Sequence, residues 1–190
     1  IVRELSEVLV GGRIDKIHQP EKDTVIISVR TRSGGYRLLL CANPSCARVH
    51  LSSTGMENPM TPPMFCMLLR KHINNGRIVA ITQPKLERII RFEIEHLDEL
   101  GDLCKKYLIV EIMGKHSNII FCNQDERIID SIKHVSAQMS SVREVLPGRE
   151  YFIPDTMEKE NPLDIAHSDF SATILAKPTG LAKAIYTSFT

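Results

Sequence analysis

The 190-residue chain has no tryptophan, and aromatic side chains make up only 5% of it. A platform on which successive bases stack, as single-strand binders use, is therefore poorly supported. No run of about 18 apolar residues occurs, so no membrane span is expected, and no signal peptide is visible. Neither sign of charge is in excess. Lys plus Arg number 24 and Asp plus Glu 23, a net charge of +1, so affinity for nucleic acid has to come from local patches. The five cysteines (Cys41, Cys46, Cys66, Cys104 and Cys122) are odd in number and include no Cys-x-x-Cys pair, which argues against a disulfide framework or a zinc site. The seven histidines form no His-x-x-x-His pair around a carboxylate, so no metal is expected. A phosphate loop, a dinucleotide fingerprint and a Gly-x-Ser-x-Gly elbow are missing too. No cofactor and no catalytic residue are assigned.

What is there reads as ordinary globular protein: 43% hydrophobic and 25% charged residues are enough for a real core. Residues 1–9 place Ile1, Leu5, Val8 and Leu9 on one helical face, and Gly11-Gly12 stops that helix. Residues 13–19 and 24–31 read as strands joined by the turn Pro20-Glu21-Lys22-Asp23, with Val25, Ile27 and Val29 alternating. Further strands are expected at 36–42 and 48–51. After a polar loop, Thr61 is the expected N-cap of a helix over 62–75 that turns Phe65, Leu68, Leu69, His72 and Ile73 inward. Strands follow at 77–82, 87–96, 105–113, 118–122 and 127–135. The class is α+β: an antiparallel, β-rich sandwich with packed helices. Residues 1–152 form the expected main domain. An acidic, polar linker over 153–169 leads to two short helices at 170–177 and 181–189. Because the chain begins at Ile1, its true start is expected upstream, and its end reads as the start of a further helical region. Cys41, Cys66 and Cys122, set among apolar neighbours, should be buried and reduced, which fits a cytoplasmic address.

Two places hold candidate chemistry. Residues 70–91 carry Arg70, Lys71, Arg77, Lys85, Arg88 and Arg91 against the single acid Glu87, and residues 92–102 then carry five acids and no Lys or Arg. Two solvated faces or a phosphate-contacting strip both account for this. Lys115-His116-Ser117-Asn118 packs four polar side chains into a hairpin turn. That is either turn chemistry or a tip that hydrogen-bonds nucleic acid.

The runs 9–20, 62–72, 111–118 (Glu-Ile-Met-Gly-Lys-His-Ser-Asn) and 129–135 (Ile-Asp-Ser-Ile-Lys-His-Val) resemble the NFACT-N domain of the RqcH/NEMF, or fibronectin-binding-protein-A-like, ribosome quality-control family. The resemblance covers about residues 1–155. It implies a fold similar to the amino-terminal domain of formamidopyrimidine-type DNA glycosylases, with residues 162–190 opening a truncated helix-hairpin-helix region. It implies binding to large ribosomal subunits that carry a stalled peptidyl-tRNA, and recruitment of alanyl-tRNA for untemplated alanine tailing; the ribosome supplies the bond chemistry. Glu87-Arg88 stands where the family has Asp-Arg, and Glu111-Ile112-Met113 matches a functional triplet. The expected tRNA contacts are Glu87, Arg88, Arg70 and Lys71. Glu111, Ile112, Met113, Lys115, His116, Ser117 and Asn118 are expected to face tRNA or ribosome. The family's older name implies fibronectin as a secondary partner, but a main role as a surface adhesin is disfavoured by the unpaired cysteines and the missing export signal. A glycosylase would need an amino-terminal Pro-Glu, which Ile1-Val2-Arg3-Glu4 does not supply.

Overall fold

The computed structural model describes residues 1–98, 100–154 and 159–189. They fall into two compact units: 1–84 with 88–152, and 85–87 with the described residues from 153 onward.

In the first unit, helix α1 (Val2–Leu9) buries Leu5 and Leu9, and the chain leaves it through Gly11 at φ +83°. A Cβ on Gly12 would lie 2.6 Å from Val29 Cγ1 and 2.8 Å from the Leu9 carbonyl oxygen. Only glycine lets the chain pass so close to the sheet at that point. Strands β1 (Arg13–Glu21), β2 (Thr24–Thr31), β3 (Gly34–Cys41) and β4 (Arg48–Leu51) come before helix α2 (Met64–Ile73). Strands β5 (Arg77–Thr82), β6 (Ile89–Leu97), β7 (Leu103–Glu111), β8 (Asn118–Asn123) and β9 (Ile128–Ser131) follow. All pair antiparallel in one sheet of order β4-β3-β2-β1-β5-β6-β7-β8-β9.

The strands thus form one continuous sheet rather than two separate layers. Its halves meet at a thin seam, the single register pair Arg13–Arg77 between β1 and β5, and they share one core. Val25, Ile27 and Val29 of β2 and Leu38 and Leu40 of β3 belong to the same buried cluster as Phe92, Leu108, Val110, Ile119 and Phe121 of the other half. Helix α2 contributes Phe65, Cys66, Leu69 and Ile73 to that cluster. Each large side chain so buried is worth about 1.5–3 kcal/mol.

Local differences from the sequence reading have physical causes. Helix α2 begins at Met64 with Pro63 as its N-cap, extended at ψ 156°, and no side chain caps it. Thr61 precedes a proline and is held out of the helical region, as is Pro62 by Pro63. Strand β1 runs on through Pro20 because the ladder is irregular between His18 and Glu21, and a missing amide donor is tolerated at such a break. The turn shrinks to Lys22-Asp23. Leu68 and His72 are half-buried rather than fully inside, and the His72 ring lies 5.8 Å from that of Phe121. Cys41, Cys66 and Cys122 are buried, Cys104 is half-buried, Cys46 is exposed, and all five are free thiols.

In the second unit, helices α3 (His167–Leu175) and α4 (Leu181–Ser188) flank the Pro178-Thr179-Gly180 turn. Phe170 stacks on Phe189 at 4.6 Å, and Glu160 forms a parallel bridge with Phe189. Of the expected linker, residues 155–158 lie outside the described residues, as does Glu99 of the expected turn at 98–102.

Candidate functional site

The registers of β6, β7 and β8 bring distant parts of the sequence to one end of the sheet. Ile89 stands opposite Glu111, and Glu111 opposite Asn118. The Asn118 side chain continues the line onto the segment after β9: its Oδ1 accepts from the Lys133 amide at 3.1 Å, and its Nδ2 donates to the Lys133 carbonyl at 2.9 Å. Arg88, which precedes Ile89, accepts at its carbonyl from the Ile112 amide at 2.8 Å. Arg88, Ile112, Met113, Lys115 and His116 therefore crowd one rim.

On this rim the expected residues divide by burial. Arg88, Lys115 and His116 are exposed, and Ile112 and Met113 half-buried. Gly114–His116 is a single 3-10 turn. It is held from below by Ser117, whose Oγ accepts from the Met113 amide at 2.9 Å. Ser117, Asn118 and Glu111 are themselves buried, so none of the three side chains is placed to touch an external ligand; they fix the backbone that presents Lys115 and His116. Glu111 has 0% exposure. It takes a hydrogen bond from Tyr151 Oη at 3.0 Å and pairs with Arg143 Nη2. Burial, then the nearby Glu111, pushes the Tyr151 hydroxyl well above its ordinary range.

Lys133 ties the rim to the other half of the sheet. Its Nζ donates to the Ser117 carbonyl at 3.0 Å and also to the carbonyl of Ala42, just past β3. Burial lowers its pKa, even with Asp23 nearby.

The linear basic block does not survive folding as a patch. Arg91 pairs with Glu126 at 2.6 Å and sits 3.7 Å over the Tyr107 ring. Arg77 stands opposite Glu95 across the β5–β6 hairpin, and Lys105 takes Glu93 at 2.7 Å. Cross-strand pairing therefore sets one member of the block, Arg77, against the acidic stretch, while Arg91 is paired off with Glu126 and the acids Glu93 and Glu95 are taken by Lys105 of β7. Arg70 is half-buried. It donates from Nε to the Ile17 carbonyl at 2.8 Å and faces His18 Nδ1 at 3.4 Å, so part of its donor set is spent within the protein. Burial, Arg70 and Lys16 together lower the pKa of His18. Lys71 is exposed on α2. Glu87 is half-buried, takes part in an interaction, and groups with the second unit while Arg88 belongs to the first. Among the described residues, no three His, Cys, Asp or Glu side chains gather as a metal site would require.

Residues 1–190 match the family described as NFACT N-terminal and middle domains. The chain belongs to the NFACT family. It is 46% identical over 190 residues to the Rqc2 homolog RqcH of Bacillus subtilis (strain 168), a match covering 100% of this chain and 33% of that protein. It is 24% identical over 163 residues to the ribosome quality control complex subunit NEMF of Homo sapiens, covering 86% of this chain and 14% of that one. Among solved structures, the N-terminal domain of the fibronectin-binding protein PavA from Streptococcus pneumoniae shares the fold with a TM-score of 0.90 at 37% identity. That match covers 100% of this chain and 71% of that one. The chain spans about a third of the length of its bacterial relative.

Within this NFACT chain, Arg143 and Tyr151 are supports that sequence reasoning missed. They lie 32 and 40 residues beyond Glu111, and no local pattern pairs them with it. Lys133 lay inside a motif already singled out, but only the fold reveals that its ammonium reaches Ala42.

Proposed function

We propose that this chain is the RNA-facing amino-terminal part of a ribosome quality-control factor. In this reading the factor binds large ribosomal subunits carrying an obstructed chain and holds tRNA, alanyl-tRNA in particular, for untemplated carboxy-terminal tailing. The protein works in the cytoplasm and is not an enzyme; the ribosome forms the peptide bonds. The observation that carries the reading is the rim. Motifs separated by up to about 30 residues converge there, with a guanidinium, an ammonium and an imidazole exposed at one end of a rigid sheet. Arg88 can fork two hydrogen bonds to a phosphate or a guanine edge. Lys115 and His116 add donors a few residues away. Half-buried Met113 offers apolar contact beside them, and Glu87 and exposed Lys71 are further tRNA contacts in this reading.

Full-length protein isolated from cells should carry tRNA and large-subunit ribosomal RNA. Recovery free of both would remove the support for this function.

A second reading draws on the PavA likeness, since that protein is described as fibronectin-binding; matrix binding is then a secondary activity of the same domain. The fold reading extends to the amino-terminal domain of formamidopyrimidine-type DNA glycosylases. Shared architecture of that kind transfers no chemistry.

A further inference from the structure

We propose that the outward side of β1–β3, at the end that carries Arg13, Arg30 and Arg37, is a second nucleic-acid surface, one that grips the phosphate backbone of an RNA helix. The proposal rests on reading the chain as an RNA-facing module, but not on the rim at Arg88. Strand pairing sets the face. Ile14 stands opposite Val29 and Ile17 opposite Ile27, and these turn into the core. The alternate positions turn outward. Arg13 pairs with Arg30, Lys16 with Ser28, Ser28 with Arg37, and Cys41 with Arg48. Four exposed cations, Arg13, Lys16, Arg30 and Arg37, therefore leave from one side of β1–β3. The rest of that side is closed, with Ile26, Leu39 and Cys41 buried together against Met56, and Arg48 beyond them spends Nε on His50 and Nη1 on the Cys46 carbonyl. Two carboxylates share the face. Asp15 lies 3.5 Å from Arg30 yet leaves that side chain 75% exposed, an open pair worth little. Glu21, at the hairpin tip, accepts from Thr24 Oγ1 at 3.1 Å. The balance is clearly positive, in a chain whose net charge is only +1.

Between β2, β3 and the segment after β4 the face hollows into an open cup of about 680 Å³, lined by Asp15, Ser28, Arg30, Arg37, Ser52 and Ser53 among others. Arg37 donates from Nη1 to the Ser53 carbonyl at 2.9 Å, which holds the guanidinium in place and leaves its other donors for a ligand. Two guanidiniums beside hydroxyls suit a phosphate. Neighbouring strands lie about 4.8 Å apart, so the cations recur across a broad surface instead of converging on one carboxylate. A polyanion with regularly repeated charge matches that layout, and a nucleic-acid helix is such a polyanion. Tyr36 borders the cup, but it packs against the core and its hydroxyl bonds Ser33, so its ring is not presented for stacking. The contacts are then to backbone and position the protein without reading sequence.

The test uses the full-length protein and a generic RNA duplex over a salt series. Replacing Arg13, Arg30 and Arg37 together by Gln should weaken duplex binding at least tenfold at low salt. It should also flatten the dependence of log affinity on log salt by about 2 to 3, since each phosphate contact contributes roughly 0.7 to 0.9 to the slope. The matching Arg→Lys variant, which keeps the charge, should hold the wild-type slope; if it loses as much as the Gln variant, the loss is not one of charge and the proposal falls. Wild-type affinity and slope in the Gln variant would overturn it outright, and if Arg88→Ala still weakened tRNA binding the rim reading would stand alone. The converse, a loss here with Arg88→Ala silent, would leave this face standing and the rim reading failed. No binding of either RNA by the wild-type protein would sink both. Unchanged duplex binding with lost ribosome association would mean an acidic protein partner, and would also overturn the proposal.

Discussion

The Arg143 guanidinium meets the Glu111 carboxylate at a point where Glu111 has no exposure to solvent and Arg143 only 11%. The first residue of the triplet Glu111-Ile112-Met113 is thus a strut between the end of β7 and the segment that closes the first unit. Breaking such a pair strands a charge in the interior at a cost of about 3–5 kcal/mol. Glu111→Ala should therefore lower the unfolding free energy by that order, and Arg143→Ala by a comparable amount. If denaturant titration shows Glu111→Ala to be as stable as wild type while tRNA binding is lost, Glu111 contacts RNA directly and the strut assignment is wrong.

Lys133 makes a related prediction about how the two halves of the sheet are held together. Replacing it by Met keeps the aliphatic stem but leaves the Ala42 and Ser117 carbonyls without their donor. A loss of about 1–3 kcal/mol is expected for groups orphaned in this way. Hydrogen exchange should rise first at Ala42 and around residues 114–118. Uniform exchange with unchanged stability would contradict this.

The thiols give a pH-resolved test. Burial, with smaller influences from Arg91, Glu126 and Glu111, pushes the Cys122 thiol up to about 12 from an ordinary 9.0. The folded chain keeps a proton that the unfolded chain releases above about pH 9. This group's contribution to stability is therefore complete below pH 9 and is lost as pH rises towards 12. At pH 8 an alkylating reagent should label exposed Cys46 in the native protein and leave Cys122 untouched until unfolding. Rapid native labelling of Cys122, or its recovery in a disulfide, would refute the burial.

Much of the fold was legible because alternation is strong where one face is buried. Thr24–Thr31, Arg48–Leu51 and Arg77–Thr82 fall where the 25-27-29 pattern and its counterparts put them. The ends were harder to read. Strand β9 stops at Ser131 because the Asn118 side chain takes over pairing with Lys133, a substitution no period reveals. The site was half legible. The motifs marked the rim, but residue type could not tell Lys115, which faces water, from Ser117 and Asn118 beneath it. The basic stretch misled because the sequence orders charges along a line, whereas the sheet brings Glu126 to Arg91, Glu95 opposite Arg77, and Lys105 to the acids of β6.

The central claim is that the rim formed by Arg88 and the Gly114–His116 turn touches tRNA. The most direct measurement is the tRNA affinity of the full-length protein with Arg88→Ala and Lys115→Ala, singly and together. Both side chains are exposed, so melting should stay within about 0.5 kcal/mol of wild type. Arg88→Ala should weaken tRNA binding by about 1–3 kcal/mol. Lys115→Ala should weaken it across sequences and lower the salt slope by about 1. The double variant should lose tailing of stalled chains while ribosome association partly survives. A double variant that folds normally, binds tRNA with wild-type affinity and tails at the wild-type rate would contradict the account.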